Sequence, residues 1–234
     1  MRTRHRCGRI YLFTRRWKVQ LYSFHRSTAS FRVRIALNLK GISFETISVN
    51  LTSVPGEHET NVYRRVNPQG LLPTLVDGGV TVHQSIAICE YLEHVQPEPA
   101  LLPAHPADRA RVRGLAAALA SDIHPLHSIR VSRHLARAFG ASDTQRGAWV
   151  RHWIGEGLSG IERLLASSPQ TGLFCHGDAV TLADAFLVPQ VVAAQAYDVD
   201  TARFTTLAAI TARCLALPAF EAALPVRQPD AVPA

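Results

Sequence analysis

Long apolar runs are missing from this chain of 234 residues. The longest mild one, Gly114 to Ala120, falls far short of the ~18 consecutive apolar residues that a membrane span needs. Cysteine is scarce. Cys7, Cys89, Cys175 and Cys214 form no CxxC pair and are widely spaced, which fits neither a disulfide framework nor a zinc pattern and leaves reduced thiols in a cytoplasmic protein as the expectation. There is no GxGxxG, no Walker A sequence and no GxSxG, so nothing points to a dinucleotide fold, a phosphate loop or a serine-hydrolase elbow. Internal repeats and low-complexity tracts are absent too. What is there is an ordinary globular composition, 47% apolar and 18% charged, with material for a real core and none of the marks of a disordered, collagen-like or coiled-coil chain.

The net charge of +7 raises the question of a nucleic-acid partner, and the location of the charge answers it. Arg2, Arg4, Arg6, Arg9, Arg15, Arg16 and Lys18 fall in residues 1–18, which contain no acid. Without these seven, the 25 basic residues become 18, equal to the number of acidic ones. A nucleic-acid binder would carry a basic face on its folded body. Residues 1–18 are therefore expected to be a disordered basic extension, and neither a nucleic-acid nor a membrane partner is expected.

Along the chain, Val19 to Phe24 reads as a strand. Thr28 to Lys40 mixes alternation (Phe31, Val33, Ile35, Leu37, Leu39) with helical spacing, but Ser27 and Thr28 suit an N-cap, Gly41 suits the residue after the C-cap, and the length favours a helix. Ser43 to Val49 is a second strand and His58 to Val66 a short helix. Pro73 to Val76 and Val80 to His83 flank Asp77-Gly78-Gly79, a hairpin signal. Gln84 to Val95 is helical. The order is βαβαββα over residues 19–97, followed by a Pro-rich linker at 98–106 and an all-helical region over 107–224, with helices at Ala107 to Asp122, toward Phe139 after a break at Pro125, at Asp143 to Leu165, Thr181 to Ala196 and Phe204 to Leu217. Residues 225–234 are expected to be a loose tail. A cleft between an α/β unit and a helical unit is a natural small-molecule site.

Four local features carry chemistry or folding information. Arg26-Ser27-Thr28-Ala29-Ser30 lies at a strand-to-helix junction, where free backbone N–H groups favour an anion, a thiolate included; plain capping is the competing reading. Leu72-Pro73 follows the turn Asn67-Pro68-Gln69-Gly70, and a proline at a strand start can be cis, turning the preceding backbone outward toward a peptide-like ligand. Gln84-Ser85 opens a helix, where the Ser85 N–H and hydroxyl suit a carboxylate. Thr181-Leu182-Ala183-Asp184 is a capping box and a folding signal. His124 and His127 lack a third ligand nearby in sequence, so no metal site is expected. Cys89, in mid-helix, is expected to be buried and inert.

Taken together these features resemble the glutathione transferase superfamily, and within it the zeta class. That class carries Ser-Ser-Cys-x-x-Arg-Val-Arg-Ile-Ala-Leu, against Ser27-Thr28-Ala29-Ser30-Phe31-Arg32-Val33-Arg34-Ile35-Ala36-Leu37 here. The stretches Asp122 to Leu126 and Leu187 to Val191 are also similar, and the likeness runs from about residue 19 to 230. It implies a thioredoxin-like N-terminal domain with a cis Leu72–Pro73 bond, an all-α C-terminal domain, a homodimer, glutathione as cofactor and a small dicarboxylic acid as substrate. The implied activity is isomerisation of maleylacetoacetate, or of maleylpyruvate, by reversible thiolate addition. Carried over position by position, the resemblance assigns glutathione to Ser27, Thr28, Ala29, Ser30, Arg32, His58, Leu72, Pro73, Gln84, Ser85 and His124.

Ser27, Thr28 and Arg130 are the candidate catalytic residues, and Arg26, His124, Ser128 and Arg130 the candidate substrate contacts; Arg130 stands first as a carboxylate clamp because guanidinium binds carboxylate in two-point fashion. Two departures matter. Ala29 replaces the family cysteine and removes covalent or redox chemistry there, and His127-Ser128 stands where the family often has Gln-Asn or Asn-Asn. Conjugation or dehalogenation of small electrophiles, and a non-catalytic interaction protein, are the alternative readings.

Overall fold

The computed structural model describes residues 18–231; the basic-arm expectation, save for Lys18, lies outside them. Four strands, β1 (Val19–Ser23), β2 (Phe44–Ser48), β3 (Thr74–Asp77) and β4 (Val80–His83), form one mixed sheet in the order β2-β1-β3-β4. β1 and β2 run parallel, joined through helix α1 (Thr28–Leu39), while β3 and β4 pair antiparallel across the expected hairpin, with Gly78 at φ +63°. A positive φ at that turn is where glycine is the undemanding choice. Helices α2 (Asn61–Val66) and α3 (Ser85–Val95) complete the thioredoxin-like unit. The helix expected from His58 to Val66 is divided: a 3-10 turn covers Glu57–Glu59, and Thr60 then caps α2.

α1 explains its own ambiguous pattern. Every residue from Ala29 to Leu37 is buried, because the helix is packed against α3 and against α7 (Leu182–Ala196) of the helical region. A helix enclosed all round needs no 3.6-residue apolar stripe. α7 is enclosed in the same way, buried from Leu182 through Val191. Its start is fixed by the Asp184 carboxylate, which accepts from Thr181 N (2.7 Å), Thr181 Oγ1 (2.9 Å) and Cys175 N (2.8 Å), as a capping box should.

The Pro-rich linker is tied rather than free. Lys40 Nζ, fully buried, lies 2.5 Å from Glu93 Oε2 and donates to the carbonyls of Pro97 and Pro99, while Glu93 accepts the amides of Leu101 and Leu102. Beyond it come α4 (Pro106–Ala117), α5 (Ile129–Phe139), α6 (Asp143–Ala166), α8 (Thr205–Leu215) and the single turn α9 (Pro218–Glu221). The helix expected over 107–122 stays α only to Ala117. It widens into a π turn over Ala118–Ile123 and tightens to a 3-10 turn over His124–His127. Gly157 of α6 faces this segment, and a Cβ there would stand 2.4 Å from Ile123 Cγ1. The glycine is what lets α6 approach so closely.

The tail is the clearest correction. It was expected to be loose from residue 225, yet Gln228 Nε2 donates to the carbonyls of Ala222 and Leu224, and the Asp230 carboxylate reaches back to His25 and Ser48. Proline here limits regular structure to a 3-10 turn at Pro225–Arg227 without removing contacts.

Candidate functional site

The sheet register gathers three loops at one end. Tyr22 of β1 pairs with Thr74 of β3, and Thr74 pairs with His83 of β4. The segment that leaves β1 toward Ser27, the Leu72–Pro73 segment that enters β3, and the start of α3 at Ser85 therefore share an edge. Ser23 also pairs with Ser48 at the end of β2, which brings the 50–60 loop to the same place. Two helix N-termini, of α1 and of α3, meet there. Each presents free N–H groups and the positive end of its dipole.

Ser27 is the N-cap of α1, its Oγ accepting from Ser30 N at 3.2 Å. Capping and catalysis do not compete for this hydroxyl. The cap uses an oxygen lone pair, which leaves the O–H free to donate to an anion. Ser27 and Thr28 are half-buried and Arg26 is exposed. Ala29 is buried and has no functional group to offer.

Leu72–Pro73 is cis, as expected. The turn before it is braced by a polar network. Tyr63 Oη donates to Leu71 O (2.6 Å), Asn67 Nδ2 donates to Leu71 O (2.8 Å) and Thr74 Oγ1 (3.2 Å), and Thr74 Oγ1 also meets His83 Nδ1 (3.2 Å). Gln84 Nε2 donates to Gln69 Oε1 at 2.9 Å, tying this turn to the start of α3. Gln84 itself holds φ +70°, a costly backbone for a residue with a Cβ and one that clusters at ligand-holding sites.

Several of the residues expected to hold glutathione are buried, Ser30 and Arg32 most completely. Ser30 and Arg32 are sealed inside α1, at 0% and 1% exposure, because that helix is packed on all sides. Arg32 instead stands behind the site. Its Nη1 donates to Ser85 Oγ (3.4 Å), its Nη2 to Leu119 O in the π turn (3.2 Å), and the guanidinium lies 5.0 Å from the centre of the Phe186 ring. Burial lowers its pKa to about 9, so it remains a cation at neutral pH. The adjacent Cys89 thiol is pushed up to about 12 by burial and stays protonated. His58 is also turned inward, 7% exposed, its ring beneath Gly56 and its Nε2 3.6 Å from Glu59; burial lowers its pKa.

The helical region closes the other side. Burial, with Arg32 nearby, puts His124 well below the ordinary histidine pKa and takes His127 to about 4. Both are neutral imidazoles, and His127 Nε2 pairs with the Gln190 amide at 3.0 to 3.2 Å. Ser128 Oγ is used within the chain, donating to Pro125 O at 2.8 Å. Arg133 of α5 crosses to the α/β unit, donating to Glu59 Oε1 (2.9 Å) and Leu51 O (3.0 Å). Arg130 is exposed, three residues before Arg133 on α5, and that spacing puts both on one helix face. A cavity of about 160 Å³ between α7 and α8, lined by Val191, Phe204 and Leu207 among others, touches none of these residues. Among the described residues no group of three His, Cys, Asp or Glu side chains suits a metal.

Residues 21–100 match the family described as "Glutathione S-transferase, N-terminal domain". A probable maleylacetoacetate isomerase of Vibrio cholerae is 43% identical over 90% of this chain and 97% of its own length. The holo structure of a bacterial maleyl pyruvate isomerase, a zeta-class glutathione S-transferase, superposes with a TM-score of 0.88 at 44% identity, covering 91% of this chain and all of that one. The chain belongs to the zeta class of the glutathione transferases. A third relative of this class-like fold, a maleylacetoacetate isomerase from Anaeromyxobacter dehalogenans, is solved with dicarboxyethyl glutathione and citrate bound; it is 37% identical, with a TM-score of 0.79, covering 92% of this chain and 98% of its own. Gln69 and Gln190 fall within stretches that the sequence already marks, whereas Arg133 and Asp230 do not. These two make contacts between segments distant in sequence, which leave no local trace.

Proposed function

We propose that the protein is a glutathione-dependent isomerase that converts a maleyl compound, maleylacetoacetate or maleylpyruvate, to its fumaryl isomer. The observation that carries this is the Ser27 cap, whose oxygen accepts from Ser30 N at a helix start and so leaves its O–H to donate. The residues present suit the tripeptide. Ser27 offers a donor for its sulfur, Ser85 with Arg32 behind it suits the γ-glutamyl carboxylate, and the cis Leu72–Pro73 segment presents backbone to its peptide groups. When bound, glutathione supplies the thiolate that adds reversibly to the maleyl double bond, which turns as a single bond and re-forms trans as the sulfur leaves.

The chain's own residues need only hold charge. Taking a thiol from a pKa of ~8.5 to ~6.5 requires about 2.7 kcal/mol. A hydrogen bond from Ser27 to the charged sulfur contributes ~1.5–3 kcal/mol, and the α1 N-terminus adds roughly 0.3–1 kcal/mol. No general base is needed. Arg130 and Arg26 would hold the substrate carboxylates, and the neutral His124 can donate to substrate oxygen without adding charge. Ala29 in place of cysteine rules out a covalent link at that position.

Three cysteines, Cys89, Cys175 and Cys214, are free and buried, which supports a cytoplasmic setting. A homodimer completes the reading, and light scattering tests it. The deciding experiment follows both maleyl substrates side by side, with and without glutathione. Glutathione-dependent fumaryl product supports the isomerase. A retained thioether in its place would make the protein a conjugating transferase.

A further inference from the structure

We propose that Asp230, in the C-terminal tail, is a positioning residue for Ser27, holding the loop that presents it. The inference rests on the assignment of Ser27 to the glutathione sulfur. Between β1 and α1 the chain passes through Phe24, His25 and Arg26 without regular structure, and a turn closed by Ser27 N to Phe24 O (2.9 Å) delivers the cap. The His25 peptide is gripped at both ends. Its N–H donates to Asp230 Oδ2 at 2.9 Å, and its C=O accepts from Arg34 Nη2 at 3.2 Å. The same Oδ2 accepts from Ser48 Oγ (3.2 Å) and lies 3.5 Å from His25 Nδ1.

The grip is built rather than incidental. Arg34 is fully buried and bonds Ser23 Oγ, Phe24 O and Ala223 O as well. Gln228 pins the tail to Ala222 and Leu224 just before Asp230. The Asp230 side chain is 13% exposed, and its bond to the His25 amide is part-buried while that from Ser48 lies at the surface. Tail, α9 and Arg34 thus form a single backing for the loop. Ser27 lies two residues beyond the clamped peptide, and any drift there shifts a hydroxyl whose donor geometry the chemistry depends on.

The test compares Asp230→Ala with Asp230→Asn, which keeps an acceptor for the His25 amide. With glutathione bound, Asp230→Ala is expected to raise the bound thiol pKa by about one unit and cut kcat roughly tenfold. KM for the maleyl substrate should hardly change, and Asp230→Asn should restore most of the loss. Wild-type thiol pKa and kcat in Asp230→Ala, whatever its melting temperature, would overturn the proposal. Amide hydrogen exchange at His25 in glutathione-free protein gives a second readout that does not depend on the sulfur assignment. Faster exchange in Asp230→Ala, recovered in Asp230→Asn, supports the clamp, and unchanged exchange overturns it. A wild-type protein that binds glutathione without acidifying its thiol would instead count against the Ser27 assignment.

Discussion

Arg32 Nη1 donates to Ser85 Oγ from a position that is 1% exposed, and no carboxylate among the described residues pairs with that guanidinium. A buried cation without a counter-ion is costly. Here it stands directly behind the start of α3, where an anionic ligand of the kind proposed above would balance it.

Replacing Arg32 with methionine tests this. Apolar replacement of a buried charge is often near neutral for stability, so urea unfolding should move by no more than ~2 kcal/mol, mostly from the unpaired Leu119 carbonyl. Glutathione affinity, read by calorimetry, should fall roughly tenfold or more, equivalent to ~1.4 kcal/mol. A variant that folds and binds glutathione as the wild type does would show that Arg32 serves packing alone.

Mutation can separate the observed capping role of Ser27 from its proposed role as sulfur donor. Ser27→Ala removes both, costing ~1 kcal/mol of stability through the lost cap and ~10²-fold or more in kcat through the lost donor. Ser27→Asp keeps a good cap but sets a carboxylate against the sulfur. It should melt close to the wild type and yet be at least as inactive as Ser27→Ala, with the bound thiol pKa raised in an ultraviolet titration. Activity in Ser27→Asp would transfer the donor role to Thr28.

Much of this was legible in the sequence, and the reasons for the rest are physical. The βαβαββα order, the Asp77-Gly78-Gly79 hairpin and the Thr181-Asp184 box are local, and local propensity wrote them correctly. The alternation in Phe31 to Leu39 pulled toward a strand because α1 is enclosed on every side and needs no stripe. The same enclosure turned Ser30 and Arg32 inward, although the motif places them beside the ligand. Asp230 was beyond reach: its partner His25 is 205 residues away, and nothing near Pro229 in sequence announces a contact.

Acid should destabilise the protein through its histidines. The folded pKa of His127 is about 4, against 6.5 for the free side chain, and His124 and His58 are lowered as well. Below pH 6.5 the unfolded chain binds protons that the folded chain refuses, so stability is full above that value and is lost as pH falls toward 4. His127 alone accounts for about 3 kcal/mol across that window. His127→Asn keeps a hydrogen-bonding partner for Gln190 and cannot titrate. Urea midpoints measured between pH 7 and 4 should fall less steeply in this variant, and a slope equal to that of the wild type would mean His127 is protonated in the fold.

Arg130 offers the sharpest division between a working side chain and a solvated one. It is exposed, on the same face of α5 as Arg133, which already reaches the Leu51 to Glu59 loop. If it clamps a substrate carboxylate, Arg130→Ala should raise KM for the maleyl substrate roughly ten- to hundredfold, the equivalent of a lost charge-assisted pair at ~1.5–3 kcal/mol. Arg130→Lys should fall between, since an ammonium keeps the charge but not the two-point geometry. Glutathione affinity should hold in both, because the tripeptide is assigned to the other side of the cleft. Added salt should narrow the gap between wild type and Arg130→Ala, as screening weakens an exposed contact. A KM indifferent to both substitutions would leave Arg130 as a surface charge and make Arg26 the clamp to test next.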